Sequence, residues 1–206
     1  MHSATRILIS VLVGAALAAF IAYAQISRET AAQPQNLMGS TFGGTFEGLT
    51  DENGKTVTAT DFAGKYQLVF FGFTYCPSIC PTELHKISKV LSALDAAGQA
   101  AIAPLFVSVD PERDTPKVLK EYTNLFSPAI VGLTGTPEAI NKVKADWKVY
   151  AAKAKTGKGD DYTVNHSVFI YWRGPDGRLL DLFDSTQTPA AIAEKVKASL
   201  IQTRGK

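Results

Sequence analysis

Short apolar runs alternate along the chain with segments whose apolar positions recur every three or four residues. The runs that are almost wholly apolar are 67–73, 103–109 and 129–133. Each is typical of a strand that is covered on both faces of a sheet. Between the first two runs, Leu84, Ile87, Leu91 and Leu94 recur at helical spacing. This periodicity predicts a helix over 81–97 with one buried stripe.

Local start signals place the remaining elements. Threonine–proline pairs begin at Thr115, Thr136 and Thr188. Because threonine caps free amides and proline presets the first turn, each pair predicts the start of a helix. Nearer the N-terminus, the Asn53-Gly54 dipeptide is typical of a tight turn and predicts a hairpin between 46–50 and 56–58. Near the other end, 149–153 and 164–172 flank a polar loop, and a turn at 174–177 leads into 178–183.

The order of these elements predicts an α/β fold. Strands alternate with helices through the first half, and a hairpin followed by a helix completes the second. Such alternation is typical of one central sheet with helices on both faces. We therefore expect a mixed sheet, parallel in its first half and antiparallel in its last hairpin.

A long uncharged segment precedes these elements. Residues 7–26 carry no charge and, at ~1.5 Å per residue, are long enough to cross a bilayer. Since Arg6 precedes them, the rest of the chain is expected on the exported side. We predict a membrane anchor over 1–26, a linker over 27–40 and one folded domain over 41–206. The alternative is a signal cleaved near Ala24, which would leave a secreted or periplasmic domain.

Composition narrows the function classes. The chain has 206 residues, of which 46% are hydrophobic and 19% charged, with a formal net charge of +2. This balance fits one globular domain with an appendage. Acidic and basic residues are intermixed, and no basic stripe appears, so nucleic acid is not an expected partner.

The chain's two cysteines, Cys76 and Cys80, follow the first buried run directly. Ligands of open α/β sheets bind at this end of a strand. A structural disulfide would close a short loop and stabilise little, whereas a redox pair and a metal clamp both remain open. Dithiols of the thioredoxin type have two residues between their cysteines rather than three. We expect the N-terminus of the following helix to lower the pKa of Cys80.

The three histidines differ in their suitability as a further ligand. His2 precedes the apolar segment, on the other side of the expected membrane, and His85 lies on the polar face of the predicted helix. His166 begins a strand expected beside the cysteine strand, where a histidine can also be structural. Two thiolates and one imidazole suit Cu(I), and suit Zn(II) less well because zinc prefers a fourth ligand.

Four motifs together resemble the Sco/SenC family: FFGFTYCPSICPTEL, VSVDPERDTP, VNHSVFIYW and GPDG. Members of that family are membrane-tethered, thioredoxin-like copper proteins that help to assemble the dinuclear copper centre of cytochrome c oxidase. The resemblance covers about 41–201. It implies a thioredoxin-like three-layer sandwich with a mixed central sheet, an N-terminal β-hairpin and a single N-terminal membrane helix.

The resemblance also implies a site and a function. Cys76, Cys80 and His166 would bind Cu(I), with Cu(II) as a second form, and Asp110 would lie near the metal loop. The implied function is a copper metallochaperone whose partners are the copper-site subunit of the oxidase and other copper chaperones. The alternative is a thiol–disulfide oxidoreductase that uses Cys76 and Cys80 to reduce the cysteines of the oxidase.

Two residues depart from the family pattern. Ser78 and Asn165 stand where family members usually carry aspartate. We expect these replacements to lower the negative charge near the site and to alter docking or copper affinity. Neither replacement removes an expected ligand, so copper binding should persist.

Overall fold

The computed structural model describes residues 14, 17, 18, 20, 38–127, 129–156 and 161–204. The chain divides into two compact units, Met1–Ser40 and Thr41–Lys206. Most of the predicted anchor at 7–26 lies outside the described residues, and so do His2 and nearly all of the predicted linker. The described part of the chain contains no helix with the length and apolar character needed to span a bilayer.

Among its described residues the second unit contains eight strands and five helices. In chain order these are β1 (Thr50–Asp51), β2 (Tyr66–Gly72), α1 (Ile79–Ser92), α2 (Ala96–Ala100), β3 (Ile102–Ser108), α3 (Pro116–Asn124), β4 (Val131–Thr134), α4 (Pro137–Asp146), β5 (Ala151–Lys155), β6 (Tyr162–His166), β7 (Phe169–Arg173), β8 (Leu179–Asp184) and α5 (Pro189–Arg204).

Six strands form a central mixed sheet in the order β1-β4-β3-β2-β7-β8. Strands β2, β3 and β4 run parallel, whereas β1, β7 and β8 pair antiparallel to their neighbours. The predicted mixed sheet is confirmed, with parallel pairing in its centre and an antiparallel final hairpin. Strands β5 and β6 form a separate two-stranded ribbon.

Three helices cover one face of the sheet. The rings of Phe70 and Phe106 stack, and Phe106 contacts Tyr122 of α3. On the same side, Trp172 donates a hydrogen bond to Ser199 of α5. Helix α1 packs against α5 and contacts β2. This face of the sheet is therefore buried beneath α1, α3 and α5.

Aromatic packing covers the opposite face. Phe71 and Tyr171 point to this side and contact Trp147, the residue that ends α4. Trp147 is fully buried and stacks on Phe46, which precedes β1. Helices thus lie on both faces of the sheet, in three layers.

Three predicted elements differ in detail from the observed ones. Helix α1 ends at Ser92 because Asp95 accepts a hydrogen bond from the amide of Gly98 and caps the separate helix α2. The run 164–172 divides into β6 and β7. The division falls where Ser167 exchanges hydrogen bonds with Tyr150 and closes the end of the ribbon.

The predicted N-terminal hairpin is present in irregular form, since Val57 exchanges backbone hydrogen bonds with Gly48 and Leu49. Thr50 and Thr56 form one isolated antiparallel bridge, and the amide of Gly54 donates to the carbonyl of Asp51. Thr50 also pairs with Thr134 of β4, so β1 is both an arm of this hairpin and an edge strand of the central sheet.

Candidate metal centre

The two cysteines lie where the central strand β2 leads into helix α1. Cys76 precedes the helix and is 9% exposed, whereas Cys80 lies in its first turn and is fully buried. Both thiols are free. The backbone amide of Cys80 donates to the sulfur of Cys76, with 3.4 Å between nitrogen and sulfur. A free amide of the helix N-terminus is therefore directed at the first cysteine.

The two thiols differ in acidity. The hydrogen bond from the Cys80 side chain lowers the pKa of Cys76 to about 3, although burial opposes the shift. The same bond raises the pKa of Cys80, and burial raises it further. The expectation that the pKa of Cys80 is lowered is therefore not met, because the hydrogen bond to Cys76 and burial both raise it.

Gly72, the last residue of β2, makes room for the buried sulfur. A Cβ atom at this position would lie 2.8 Å from the Cys80 Sγ and 2.8 Å from Cε2 of Phe106. Sequence reasoning did not single out Gly72. The available signal is a glycine inside an aromatic strand, which often marks a close approach of another group to the backbone.

His166 ends β6 and points its ring toward the cysteines. Its Nε2 lies 3.5 Å from the Cys80 Sγ, and the potential ligand atoms of Cys76, Cys80 and His166 all lie within 4.8 Å of one another. The structure thus brings together the three residues that the sequence singled out. Of the two other histidines, His85 is exposed on α1.

The hydrogen bond on the far side of the imidazole assigns its tautomer. Nδ1 of His166 lies 2.9 Å from the carbonyl oxygen of Ser167. Because a carbonyl only accepts, Nδ1 carries the proton and donates it, which leaves the lone pair of Nε2 facing the sulfurs. Phe70 and Phe73 pack edge-on against the ring at centroid distances of 6.1 and 5.8 Å. The imidazole is held as metal-binding histidines are.

The donor set indicates which ions fit. Two sulfurs and one imidazole nitrogen are soft ligands, and they suit Cu(I) better than Mg²⁺ or Ca²⁺, which prefer oxygen. The site opens into a cleft of about 340 Å³ that is lined in part by Ser78, Asn165 and Val168. Ser78 and Asn165 are both exposed where they line this cleft.

Asp110 is fully buried just beyond β3 and contacts residues other than the three candidate ligands. Its carboxylate accepts hydrogen bonds from Nε of Arg113 and from the hydroxyl of Tyr162, the latter at 2.7 Å. Among the described residues, no hydrogen bond joins its carboxylate to Cys76, Cys80 or His166. A role for Asp110 beside a bound metal stays a prediction.

Asp114, which the sequence analysis did not select, supports the cysteine loop directly. It is fully buried and accepts from the backbone amide and hydroxyl of Thr74, two residues before Cys76. A third hydrogen bond comes from the hydroxyl of Ser108 at 2.6 Å. Burial raises the pKa of Asp114. The sequence signal is weak, because an aspartate before Thr115-Pro116 also fits an ordinary helix start.

The SCO1/SenC family model matches residues 34–201. SCO2, a mitochondrial protein of Saccharomyces cerevisiae, is 42% identical over 159 residues, which cover 77% of this chain and 52% of that protein. The mitochondrial SCO1 homolog of Homo sapiens is 38% identical over 165 residues, covering 80% of this chain and 54% of that protein. The chain thus spans about half the length of these curated relatives.

A solved structure shares the fold. ScoI of Bradyrhizobium japonicum, determined with copper bound, is 44% identical in sequence and superposes with a TM-score of 0.70. The match covers 76% of this chain and 98% of that one. The mixed central sheet and the helices that cover it are therefore those of a Sco structure.

Proposed function

Because the chain belongs to the SCO1/SenC family, we propose that it is a copper metallochaperone which holds Cu(I) with Cys76, Cys80 and His166. The observation that carries the proposal is the convergence of two sulfurs and one imidazole nitrogen within 4.8 Å. The hydrogen bond to the Ser167 carbonyl commits the other ring nitrogen and leaves Nε2 free to bind.

Binding of Cu(I) requires the protein to lose one proton from the cysteine pair. Since the pKa of Cys76 is lowered to about 3 and that of Cys80 is raised, the pair holds one proton between its two sulfurs near neutral pH. Copper displaces that proton and binds two thiolates and the neutral imidazole. Zn(II) fits less well, because it would need a fourth ligand. Cu(II) is a second oxidation state that the same donors would accept.

The exposed cleft supports delivery of the ion. A three-coordinate Cu(I) beside an open cleft can be attacked by a thiolate of a partner protein. Bonds from copper to the partner then form as bonds to this chain break, and copper stays monovalent throughout. The proposed recipient is the copper-site subunit of cytochrome c oxidase, and other copper chaperones are proposed donors. A membrane anchor within 1–26 would hold the domain on the exported side.

The His166→Ala variant tests the ligand set. Losing a ligand should weaken Cu(I) binding by more than the about 10–100-fold that follows loss of an outer-shell partner. The measurement is competition for Cu(I) against a chromophoric chelator under anaerobic conditions. The matched control is His85→Ala, which removes an exposed histidine of α1. Equal affinity of the His166→Ala variant and the wild type would contradict the proposal.

The cysteine pair also favours a second candidate function, that of a thiol–disulfide oxidoreductase. The pKa of Cys76 is lowered, and this is the more exposed of the two sulfurs, as an attacking thiolate must be. Cys76 would attack a disulfide of the partner, and Cys80 would then release the partner as a dithiol. This chain would be left with a Cys76–Cys80 disulfide, which an external dithiol must reduce before the next cycle.

The same histidine variant separates the two functions. If disulfide reduction is the activity, His166→Ala should retain the reductase rate while Cu(I) affinity falls. The Cys80→Ser variant should accumulate the mixed disulfide between Cys76 and the partner, which non-reducing electrophoresis detects. Absence of that adduct with a disulfide-bonded copper-site domain would count against the reductase.

A further inference from the structure

The strand that carries His166 is not part of the central sheet. Among the described residues, strands β5 and β6 pair with each other and with no strand of the central sheet, so sheet hydrogen bonds to the core do not fix the position of the histidine. A ribbon of two strands is marginally stable by itself. Other contacts must therefore hold the imidazole at the sulfurs.

The inward face of β6 presents three side chains. Tyr162, Val164 and His166 alternate along the strand and so point to one side. Val164 is 5% exposed, whereas Asn165 on the other face lies in solvent. Tyr162 is thus the inward residue at the opposite end of the strand from His166.

Tyr162 is held by one loop, which follows β3. Its hydroxyl donates to Oδ1 of Asp110 at 2.7 Å, and its backbone carbonyl accepts from Nη1 of Arg113 at 3.0 Å. The guanidinium of Arg113 also lies 3.8 Å from the centroid of the Tyr162 ring. Asp110 and Arg113 thus bind Tyr162 at its hydroxyl, its ring and its backbone carbonyl.

Two further interactions strengthen these contacts. Arg113 forms an ion pair with Asp110, whose carboxylate is fully buried. On the ribbon, Lys153 pairs with Glu112 of the same loop at 2.6 Å and lies over the Tyr162 ring at 4.5 Å. Among the described residues, His166 contacts the cysteines and the Ser167 carbonyl, and the other side-chain hydrogen bonds and ion pairs that join the ribbon to the rest of the domain reach this loop.

We propose that Asp110, Arg113 and Tyr162 form a clamp that holds the ribbon against the domain and thereby positions the His166 imidazole at the cysteine sulfurs. These are positioning residues, since none of them offers an atom to the ion. The proposal rests on the proposed function for its consequence in copper binding. Its structural part, the restraint of the ribbon, applies to the metal-free protein as well.

Arg113 supports the imidazole by a second route. Its guanidinium lies 5.7 Å from the centroid of the Phe73 ring, and Phe73 packs edge-on against His166. The same loop also contains Asp114, which binds Thr74 beside the cysteines. One short segment, 110–114, thus contacts both the ribbon that carries His166 and the loop that carries the cysteines.

A double-mutant cycle tests whether the clamp acts through His166. Tyr162→Phe removes the hydroxyl that binds Asp110 and keeps the ring on Arg113. In the full chain we expect it to weaken Cu(I) binding about ten-fold, as is typical of an outer-shell partner. In the His166→Ala background it should cause no further loss, because the ligand it positions is already absent. Tyr150→Phe, which alters an exposed tyrosine outside the clamp, is the control.

Once His166→Ala itself is found to weaken Cu(I) binding, an equal effect of Tyr162→Phe in both backgrounds, or no effect in the wild type, would overturn the clamp. X-ray absorption gives a second readout, since the nitrogen contribution to copper scattering should fall in Tyr162→Phe while both sulfurs remain. A merely structural role would lower stability without changing the set of ligand atoms.

Hydrogen exchange in the metal-free full chain separates failure of the clamp from failure of the proposed function. Amides of β6 should exchange about ten-fold faster in Tyr162→Phe, as expected for a lost hydrogen bond to a charged acceptor. Their exchange rates in Tyr150→Phe should equal those of the wild type. Unchanged exchange in Tyr162→Phe refutes the clamp. If His166→Ala leaves Cu(I) affinity intact while exchange at β6 responds as expected, the ligand assignment fails and the clamp stands.

Discussion

At the cysteine pair, two chemically identical side chains acquire opposite acid–base properties from their positions. Cys76 accepts hydrogen bonds from a backbone amide and from the Cys80 thiol, whereas Cys80 keeps its proton as the donor and is fully buried. Residue spacing alone indicates that both thiols are near a helix N-terminus. It does not indicate which sulfur the free amide reaches, and that detail decides which cysteine is the thiolate.

Gly72 offers a test of the close packing around Cys80. In Gly72→Ala the new methyl group would lie 2.8 Å from both the Cys80 Sγ and Phe106. Overpacking of this kind costs about 1–3 kcal/mol of unfolding free energy. We also expect weaker Cu(I) binding, because the sulfur must move. Urea unfolding and chelator competition measure the two effects.

Gly54→Ala is the matched control for Gly72→Ala. Gly54 has a φ of +82° and open space around it, so alanine there suffers backbone strain of about 1–2 kcal/mol and lies away from the sulfurs. Both variants should lose stability, but Gly72→Ala alone should change Cu(I) affinity. Equal affinity of the two variants would show that the space at Gly72 is not needed by the site.

At the scale of elements, the predictions that succeeded depend on local chemistry. Thr115 and Thr136 cap α3 and α4 as their threonine–proline pairs predict, each accepting from an amide three residues ahead. Thr188 does the same before α5. Cap, proline and first turn all lie within four residues. Such elements can be predicted without knowledge of the tertiary structure.

The elements that were predicted less well depend on distant contacts. The division between β6 and β7 follows from the hydrogen bonding of Ser167 with Tyr150. The apolar pattern of 164–172 does not indicate that contact. The same limit applies at the site. Cys76, Cys80 and His166 were identified by residue type, but Arg113 and Asp114 were not, because their roles arise from contacts that only the fold creates.

The turn that precedes β2 should contribute pH-dependent stability. Asp61 accepts hydrogen bonds from the amide of Thr58 at 2.6 Å and from Lys55, and these lower its pKa to about 2 from an unperturbed 3.8. Since the pKa is depressed in the folded state, the contribution is complete above the unperturbed value and is lost as the pH falls toward 2. Thermal midpoints of wild type and Asp61→Asn should therefore differ at pH 6 and converge near pH 2.

The Asp61 prediction depends on the charged form of the carboxylate. If the difference between wild type and Asp61→Asn were the same at pH 6 and pH 2, the carboxylate charge would not be its source. A neutral hydrogen bond or a change in local packing would then account for the stability at this turn.

At the scale of the whole molecule, the candidate metal centre joins parts of the chain that are remote in sequence. Cys80 and His166 are 86 residues apart, one on the helix that follows the central strand and the other on the separate ribbon. Segment 110–114 contacts both parts. An ion bound between the sulfurs and the imidazole would therefore link the ribbon to the domain more directly than the clamp does.

Cu(I) should accordingly stabilise the entire fold. An ion that binds the folded chain alone adds about 2.7 kcal/mol to the unfolding free energy at a free concentration of 100 Kd. For a chain of this size that corresponds to a rise of roughly 5–10 °C in the midpoint of thermal unfolding. The rise should be much smaller in His166→Ala at the same free Cu(I), as differential scanning calorimetry under anaerobic conditions would measure. A Cys76–Cys80 disulfide should add somewhat less, about 2 kcal/mol, because it closes a loop of only a few residues. Equal stabilisation of a Cys76→Ser, Cys80→Ser double variant by Cu(I) would show that the ion acts elsewhere on the chain.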